Sequence, residues 1–257
     1  MARDTIYFVS DAHLGAPARD AAVWERQLCG FLRSIADNAR KLYILGDLFD
    51  FWIEYGHAIR SDYFPVAHEI RTLVEKGVEV HYFAGNHDFA FGPFIKSTLG
   101  ITVHPDSEEI ELQGKHIHLF HGDGLLKFDA GYRLLRKVLR NSLYQALYKL
   151  LPPALGIGLA SKVSGSSRKI REGFMNEKIA AEYRDHARAL LDKGNDIVFF
   201  AHTHWPEHLR YGAKTYCNTG AWMRNCNFAT LTDGQVRLWR WRENADPEEI
   251  PSIKISN

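Results

Sequence analysis

The chain has 257 residues, enough for one large α/β domain or a domain carrying an insertion. Apolar residues make up 46% and charged residues 25%, which excludes a globally disordered chain. The formal net charge of +1, from 32 basic and 31 acidic residues, carries no whole-chain signature of a polyanionic partner, so no nucleic acid is expected. Residues 5–9 (TIYFV) form a β-branched and aromatic run followed at once by polar SDAH, the pattern of a buried strand ending in a loop. Trp24, Leu28, Phe31, Leu32 and Ile35 then recur at helical spacing. KLYIL (41–45) is a second buried strand and ends at Gly46-Asp47. A helix is predicted near 62–76, with Ile70, Leu73 and Val74 on one face and Gly77 as its stop. VEVHYFA (78–84) is a third strand and ends at Gly85-Asn86-His87-Asp88.

Further strands are predicted at 109–113, 116–120 and 196–201. Strands at 227–231 and 235–241 are joined by Thr232-Asp233-Gly234, a hairpin signal. The tail 244–257, rich in acids and with two prolines, is expected to be loosely ordered. The stretch 124–171 stands apart. It holds ten Lys or Arg against a single acid, Asp129, together with Leu134, Leu135, Val138, Leu139, Leu143 and Leu147 at helical spacing, until Pro152-Pro153 breaks the pattern. It reads as a helical insertion between a core of 1–123 and 172–243. The plainer alternative is that its leucines pack an ordinary insertion, with solvated Lys and Arg outside. Three cysteines, Cys29, Cys217 and Cys226, are an odd number with no C-x-x-C spacing, which fits free thiols in a reducing compartment. The apolar run Ile6 to Val9 is too short for a signal peptide or a spanning helix. A cytoplasmic location is expected, with peripheral contact to a membrane left open.

Six short segments carry the chemistry: Asp11-Ala-His13, Gly46-Asp47-Leu-Phe-Asp50, Gly85-Asn86-His87-Asp88, His121-Gly-Asp123, His202-Thr-His204 and, with a weaker signal, Asn218-Thr-Gly220. Strands alternating with helices argue for an α/β sheet, and in such sheets sites form beyond the carboxyl ends of strands. One D-x-H or H-x-H triplet arises readily by chance; five in order, each after a predicted strand, do not. Imidazoles and carboxylates together suit a pair of divalent cations, which clamp a phosphate and generate hydroxide from a shared water. The absence of cysteine from these segments argues against a structural zinc site and leaves Mn²⁺, Fe²⁺, Zn²⁺ or Co²⁺. In the D-x-H and H-x-H pieces an extended backbone would point alternate side chains the same way. The remaining histidines, His57, His68, His81, His104, His116, His118, His186 and His208, belong to no recurring motif and are expected at the surface or in strand packing.

The order D-x-H, G-D-x-x-D, G-N-H-D, H-G-D, H-x-H resembles that of the calcineurin-like metallophosphoesterases, over roughly residues 5–221. The resemblance implies a four-layer α/β/β/α sandwich with two metals at one edge. It implies that Asp11, His13 and His204 hold the first metal, that Asn86, His121 and His202 hold the second, and that Asp47 bridges them. His87 would sit by the leaving group or the phosphate oxygens, oriented by Asp88, while Asp50 and Asp123 would support the ligand residues from behind. The family's last motif usually reads G-H-x-H; Ala201 replaces its glycine here.

Within that superfamily, DAHLGAP (11–17), GDLFDFW (46–52), HGDG (121–124) with DAGY (129–132), and GIGLA followed by SSRK (156–169) are similar to the UDP-2,3-diacylglucosamine diphosphatases of lipid A synthesis. That resemblance implies hydrolysis of the pyrophosphate of UDP-2,3-diacylglucosamine to 2,3-diacylglucosamine 1-phosphate (lipid X) and UMP, most often with Mn²⁺. It implies that 124–171 is a cap holding acyl chains and basic enough to meet phosphate and the inner membrane surface. Asp129 and Tyr132 would contact the sugar-nucleotide, and Ser167, Arg168 and Lys169 the diphosphate or glucosamine. Some members carry G-N-R-D where this chain has Gly85-Asn86-His87-Asp88, so His87 takes the place of an arginine that would stabilise charge or could itself donate a proton. Other readings are a metallophosphoesterase acting on another nucleotide, a phosphodiester or a phosphomonoester, a nuclease, and a non-catalytic scaffold or lipid-binding module. The near-neutral charge argues against the nuclease, and the complete ligand set against the scaffold.

Overall fold

The computed structural model describes residues 4–55, 58–152, 155–156, 158 and 176–255. Two sheets stack face to face. In the first, the strand order is β14 (Glu248–Ile250), β13 (Gln235–Arg240), β12 (Asn227–Thr232), β1 (Thr5–Val9), β2 (Ala39–Ile44), β4 (Glu79–Phe83), β6 (Thr102–His104). β1, β2, β4 and β6 run parallel, and β12 joins β1 antiparallel. In the second sheet the order is β15 (Ile253–Lys254), β10 (Glu207–Tyr211), β11 (Lys214–Asn218), β9 (Ile197–Phe200), β8 (Lys115–Leu119), β7 (Glu108–Leu112). A two-stranded ribbon, β3 (Trp52–Ile53) with β5 (Asp88–Ala90), ties two of the predicted site loops together.

β1 shows why the sandwich forms. Side chains alternate across a strand, so Ile6 and Phe8 face one side and Tyr7 and Val9 the other, and all four are buried. Ile6 and Phe8 join Tyr43, Leu45, Ile117, Leu119, Ile197 and Phe199 between the sheets, where the Phe8 and Phe199 rings stack at 4.1 Å. Tyr7 and Val9 pack outward under α1 (Ala21–Ile35) and α2 (Phe64–Glu75), which present Leu28, Phe31, Leu32, Ile35, Val66, Ile70 and Leu73. On the far side, Tyr183, Ala187 and Leu191 cover Val198, Phe200 and Tyr216 of the second sheet. These three residues belong to a helix at Glu177–Asp192. Three apolar layers therefore lie between four structural ones, the α/β/β/α arrangement. Burying a Leu, Ile, Val or Phe side chain contributes roughly 1.5–3 kcal/mol, so a strand packed on both faces is strongly held.

Two further helices, α3 (Ala130–Leu139) and α4 (Ser142–Tyr148), rise from the loop after β8. The single helical pattern read there is split at Arg140-Asn141, where the Asn141 side chain accepts the Leu143 N–H at 2.9 Å and starts α4. Residues 244–255 of the tail are not loosely ordered. β14 pairs with β13 in one sheet and β15 with β10 in the other, and Ile250 packs into the layer between the sheets. The sequence of 244–257 gave no sign of this, because edge strands of two or three residues lack a measurable alternation.

Candidate metal centre

The parallel strands β1, β2 and β4 deliver three loops to one edge of the sandwich, and the loops after β8 and β9 bring two more from the facing sheet. The backbone at this edge is not extended. Asp11, His13, Asp47, His202 and His204 all lie in the left-handed region, with φ of 50°, 44°, 53°, 67° and 58°. For residues with a Cβ this costs on the order of 1–2 kcal/mol each and persists only where surrounding bonds impose it. They do so here. Asp11 N–H donates to the Gly46 carbonyl at 3.1 Å, His13 N–H to the Asp47 carbonyl at 3.0 Å, and His202 N–H to Asp11 Oδ2 at 3.1 Å. The expected extended D-x-H and H-x-H geometry is thus replaced by kinked turns that still aim both side chains of each triplet inward. Gly46 and Gly85 are required at their positions: a Cβ on Gly46 would strike the His121 ring, and one on Gly85 the Asp47 carboxylate.

Seven side chains meet. Asp11, His13 and His204 offer ligand atoms within 4.8 Å of one another, and so do Asp47, His121 and His202. Asp47 Oδ2 lies 3.8 Å from His13 Nε2 and 3.4 Å from His121 Nε2, between the two groups. Asn86 Oδ1 faces His121 Nε2 at 3.2 Å. The His13 and His204 Nε2 atoms are 3.2 Å apart, and His202 Nδ1 is 2.9 Å from His121 Nε2. Nitrogens each about 2.1 Å from a shared cation sit about 3 Å apart in octahedral geometry, so these spacings fit co-ligation. Asp11 Oδ1 is fully buried with no hydrogen-bond donor. His121 donates its Nδ1–H to the Leu45 carbonyl at 2.7 Å, which leaves Nε2 to face the centre. The donor set is nitrogen and oxygen only, as first-row divalent cations accept.

The charges interlock. Burial works against ionised Asp47, yet the His121, His87 and His13 imidazoles hold its carboxyl well below the usual carboxylate range. Burial likewise works against a charged His121, but the Asp47 carboxylate outweighs it and pushes the imidazole up to about 10.

Other expectations change. Asp88 does not orient His87. Its carboxylate accepts the Tyr82 hydroxyl and the backbone N–H groups of Asp47 (2.9 Å), Phe49 (3.0 Å) and Gly85 (3.2 Å), so it secures the loops themselves. His87 is oriented instead by the Asp50 carbonyl, which takes its Nδ1–H at 2.9 Å, while its backbone N–H donates to Asp47 Oδ1 at 2.9 Å. Asp50 Oδ1 stands 3.8 Å from His13 Nδ1. Asp123, expected behind the ligands, receives the Tyr132 hydroxyl at 2.6 Å, with Arg136 Nε at 3.1 Å, and its charge also raises the His121 imidazole. Tyr132 is thereby committed to the protein. Asp129 stands at the head of α3, where its carbonyl accepts the Arg133 N–H at 2.8 Å. Ser167, Arg168, Lys169 and His57 lie outside the described residues. The weaker segment at 218–220 is structural support: Asn218 Nδ2 donates to the Ala201 carbonyl at 3.0 Å, and Thr219 shares a 2.7 Å hydrogen bond with Ser10 beside Asp11. Sequence reasoning passed over Ser10 and Tyr82, neither of which belongs to a ligand-type motif.

The calcineurin-like phosphoesterase model matches residues 5–206 of the chain. The chain belongs to the calcineurin-like phosphoesterase family. It is a hydrolase of phosphoester or phosphoanhydride bonds in a family whose members use divalent metals, and the residue clusters above can hold them. It is 38% identical over 175 residues to a UDP-2,3-diacylglucosamine hydrolase of Porphyromonas gingivalis, covering 65% of this chain and 67% of that protein. It is 34% identical to the protein of that name from Neisseria meningitidis serogroup B, over 80% of this chain and 84% of that one. The identity is 30% to that of Photorhabdus laumondii, over 90% and 96%. Among the described residues, no helix is long and apolar enough to cross a membrane.

Proposed function

We propose that the chain hydrolyses the pyrophosphate of UDP-2,3-diacylglucosamine, releasing 2,3-diacylglucosamine 1-phosphate and UMP, at a centre of two divalent cations, Mn²⁺ first among the candidates. The names of its relatives point to this substrate, and one observation in the structure carries it. An apolar cavity of about 280 Å³ lies between the core, through Phe51, Trp52, Ile53, Phe89 and Ala90, and the helices α3 and α4, through Val138, Leu139, Tyr144 and Tyr148. Phe51 follows Asp50 and Phe89 follows Asp88, so the cavity opens beside the metal loops. An acyl chain fits such a lining.

Asp11, His13 and His204 would hold one cation, Asn86, His121 and His202 the other, and Asp47 both. Bound there, the pair supplies Lewis acidity that activates water and takes up charge on the phosphoryl oxygens. The protein's own groups do the rest. Asp88 and the Gly46 and Gly85 turns hold the ligand loops in register. His87, fixed through Nδ1 and with Nε2 3.9 Å from Asp47 Oδ2, is placed to meet a phosphoryl or leaving-group oxygen. Asp11, His13, Asp47, His121 and His202 are buried, which strengthens the charge interactions among them.

The same helices support a peripheral seat on the cytoplasmic face of the inner membrane. Leu134, Leu143 and Leu150 are 67%, 64% and 79% exposed, with Lys137 and Lys149 nearby in sequence. Apolar and cationic groups together suit an anionic lipid surface, where a diacyl substrate resides. The deciding experiment incubates the protein with UDP-2,3-diacylglucosamine and Mn²⁺, Co²⁺, Zn²⁺ or Fe²⁺ in turn and measures UMP. Release of UMP is expected, and Asp47→Ala and His121→Ala abolish it. Rapid cleavage of an aryl phosphodiester with no UMP would overturn the substrate while leaving a phosphoesterase.

A further inference from the structure

Tyr132, Arg136 and Arg140 follow one another at four-residue steps on α3 and its C-terminus, so they lie along one face. That face is turned toward the core. The Tyr132 hydroxyl and Arg136 Nε meet Asp123 Oδ2, and Arg140 Nη2 stands 3.8 Å from the same oxygen. Asp123 is completely buried, so its charge is matched by these two guanidiniums. Arg136 also reaches Asp106 at 3.1 Å. Arg140 goes further. Its Nη1 donates to the Pro105 carbonyl, and its Nη2 donates to the carbonyls of Gly85 at 3.1 Å and Ala84 at 3.4 Å. Arg133 is used similarly, on the carbonyls of Gly124 and Leu126. Of the ten basic residues counted in 124–171, Arg136 and Arg140 are therefore committed to acceptors of the core, and Arg133 to carbonyls within the insertion itself.

The consequence falls on Asn86. The residue before it, Gly85, is gripped from two sides: Asp88 takes its N–H from within the core, and Arg140 takes its carbonyl from the cap. A guanidinium presents its donors in a planar fork, which lets the two terminal nitrogens of Arg140 serve three carbonyls together. The Gly85–Asn86 peptide cannot rotate without breaking the Arg140 bond, and its orientation sets where the Asn86 amide points, now 3.2 Å from His121 Nε2. We propose that Arg140 is a positioning residue: from α3 it fixes the Gly85–Asn86 peptide, and through it the Asn86 amide, so that the seating of the cap completes the ligand group of Asn86, His121 and His202. This rests on the two-metal function proposed above. It makes the cap part of the metal centre and not only a container for acyl chains.

The test is Mn²⁺ affinity of the full chain, read by electron paramagnetic resonance of free Mn²⁺, for wild type, Arg140→Ala, Arg140→Lys and Arg136→Ala, with thermal melts alongside. Supporting groups of this kind change metal affinity by about 10- to 100-fold. Arg140→Ala is expected to weaken the looser of the two sites at least about tenfold. Arg140→Lys, which keeps the charge near Asp123 but loses the fork, shifts affinity the same way to a smaller extent and serves if the alanine variant does not fold. Arg136→Ala removes the same charge from the same helix without touching the Gly85 carbonyl, and should leave Mn²⁺ affinity within about twofold of wild type, well short of the change expected for a supporting group. Wild-type affinity in folded Arg140 variants, or an equal loss in Arg136→Ala, overturns the proposal. The substrate assignment fails separately, on the absence of UMP, and does not alter this measurement.

Discussion

Asp88 holds Asp47 by its backbone: the Asp88 Oδ1 atom accepts the Asp47 N–H at 2.9 Å, and the other carboxylate oxygen accepts Phe49 N–H and the Tyr82 hydroxyl. Asp47, the carboxylate proposed to bridge the cations, is thus aimed by another carboxylate that lies behind it. Asn at 88 would present an amide NH₂ to some of these donors and leave buried N–H groups unpaired. Asp88→Asn should lower stability by about 1–3 kcal/mol, as a buried unsatisfied donor does. At roughly 2–4 °C per kcal/mol for a domain of this size, a melt resolves it. An unchanged melting temperature with full turnover would contradict the assigned role.

Cation binding should release protons. His121 carries a raised pKa of about 10 beside Asp47, so its folded form holds a proton across neutral pH that a cation must displace. The sign follows: apparent affinity rises as pH climbs toward 10 and falls toward acid. Calorimetric titration in buffers of different ionisation enthalpy should give a heat that depends on the buffer. A buffer-independent heat near neutral pH would refute the Asp47–His121 pairing.

Filling the apolar cavity should discriminate between substrates. Val138→Trp places an indole among Phe51, Phe89 and Tyr144. KM for the diacyl sugar nucleotide is expected to rise at least about tenfold, the loss of roughly 1.4 kcal/mol of binding. kcat on an aryl phosphodiester should hold. Equal effects on both substrates would place the acyl chains elsewhere.

The exposed leucines make a membrane prediction. Leu134→Glu combined with Leu143→Glu should reduce co-sedimentation with phosphatidylglycerol vesicles on the order of tenfold, through lost apolar burial and added repulsion. Retention of wild-type sedimentation would remove α3 and α4 from the membrane contact.

The sequence by itself determined the strands that end at the centre and the identity of its ligand-type side chains. Both are local facts: a run such as TIYFV buries itself on two faces, and Asp, Asn and His recur just past each strand. It also held the helical register of 130–140, in which Tyr132, Arg136 and Arg140 share a face, though not what that face meets. Only the tertiary structure decided that Asp88 serves Asp47 and not His87, that Asp123 receives Tyr132 and Arg136, that the turns at the centre are left-handed, and that β14 and β15 complete the two sheets. The reason is that a buried polar group is defined by its partner. Asp47 lies 41 residues before Asp88, and Arg140 lies 55 after Gly85. No spacing in the chain encodes which donor will face which acceptor once water is gone; packing of the two sheets and the cap settles it.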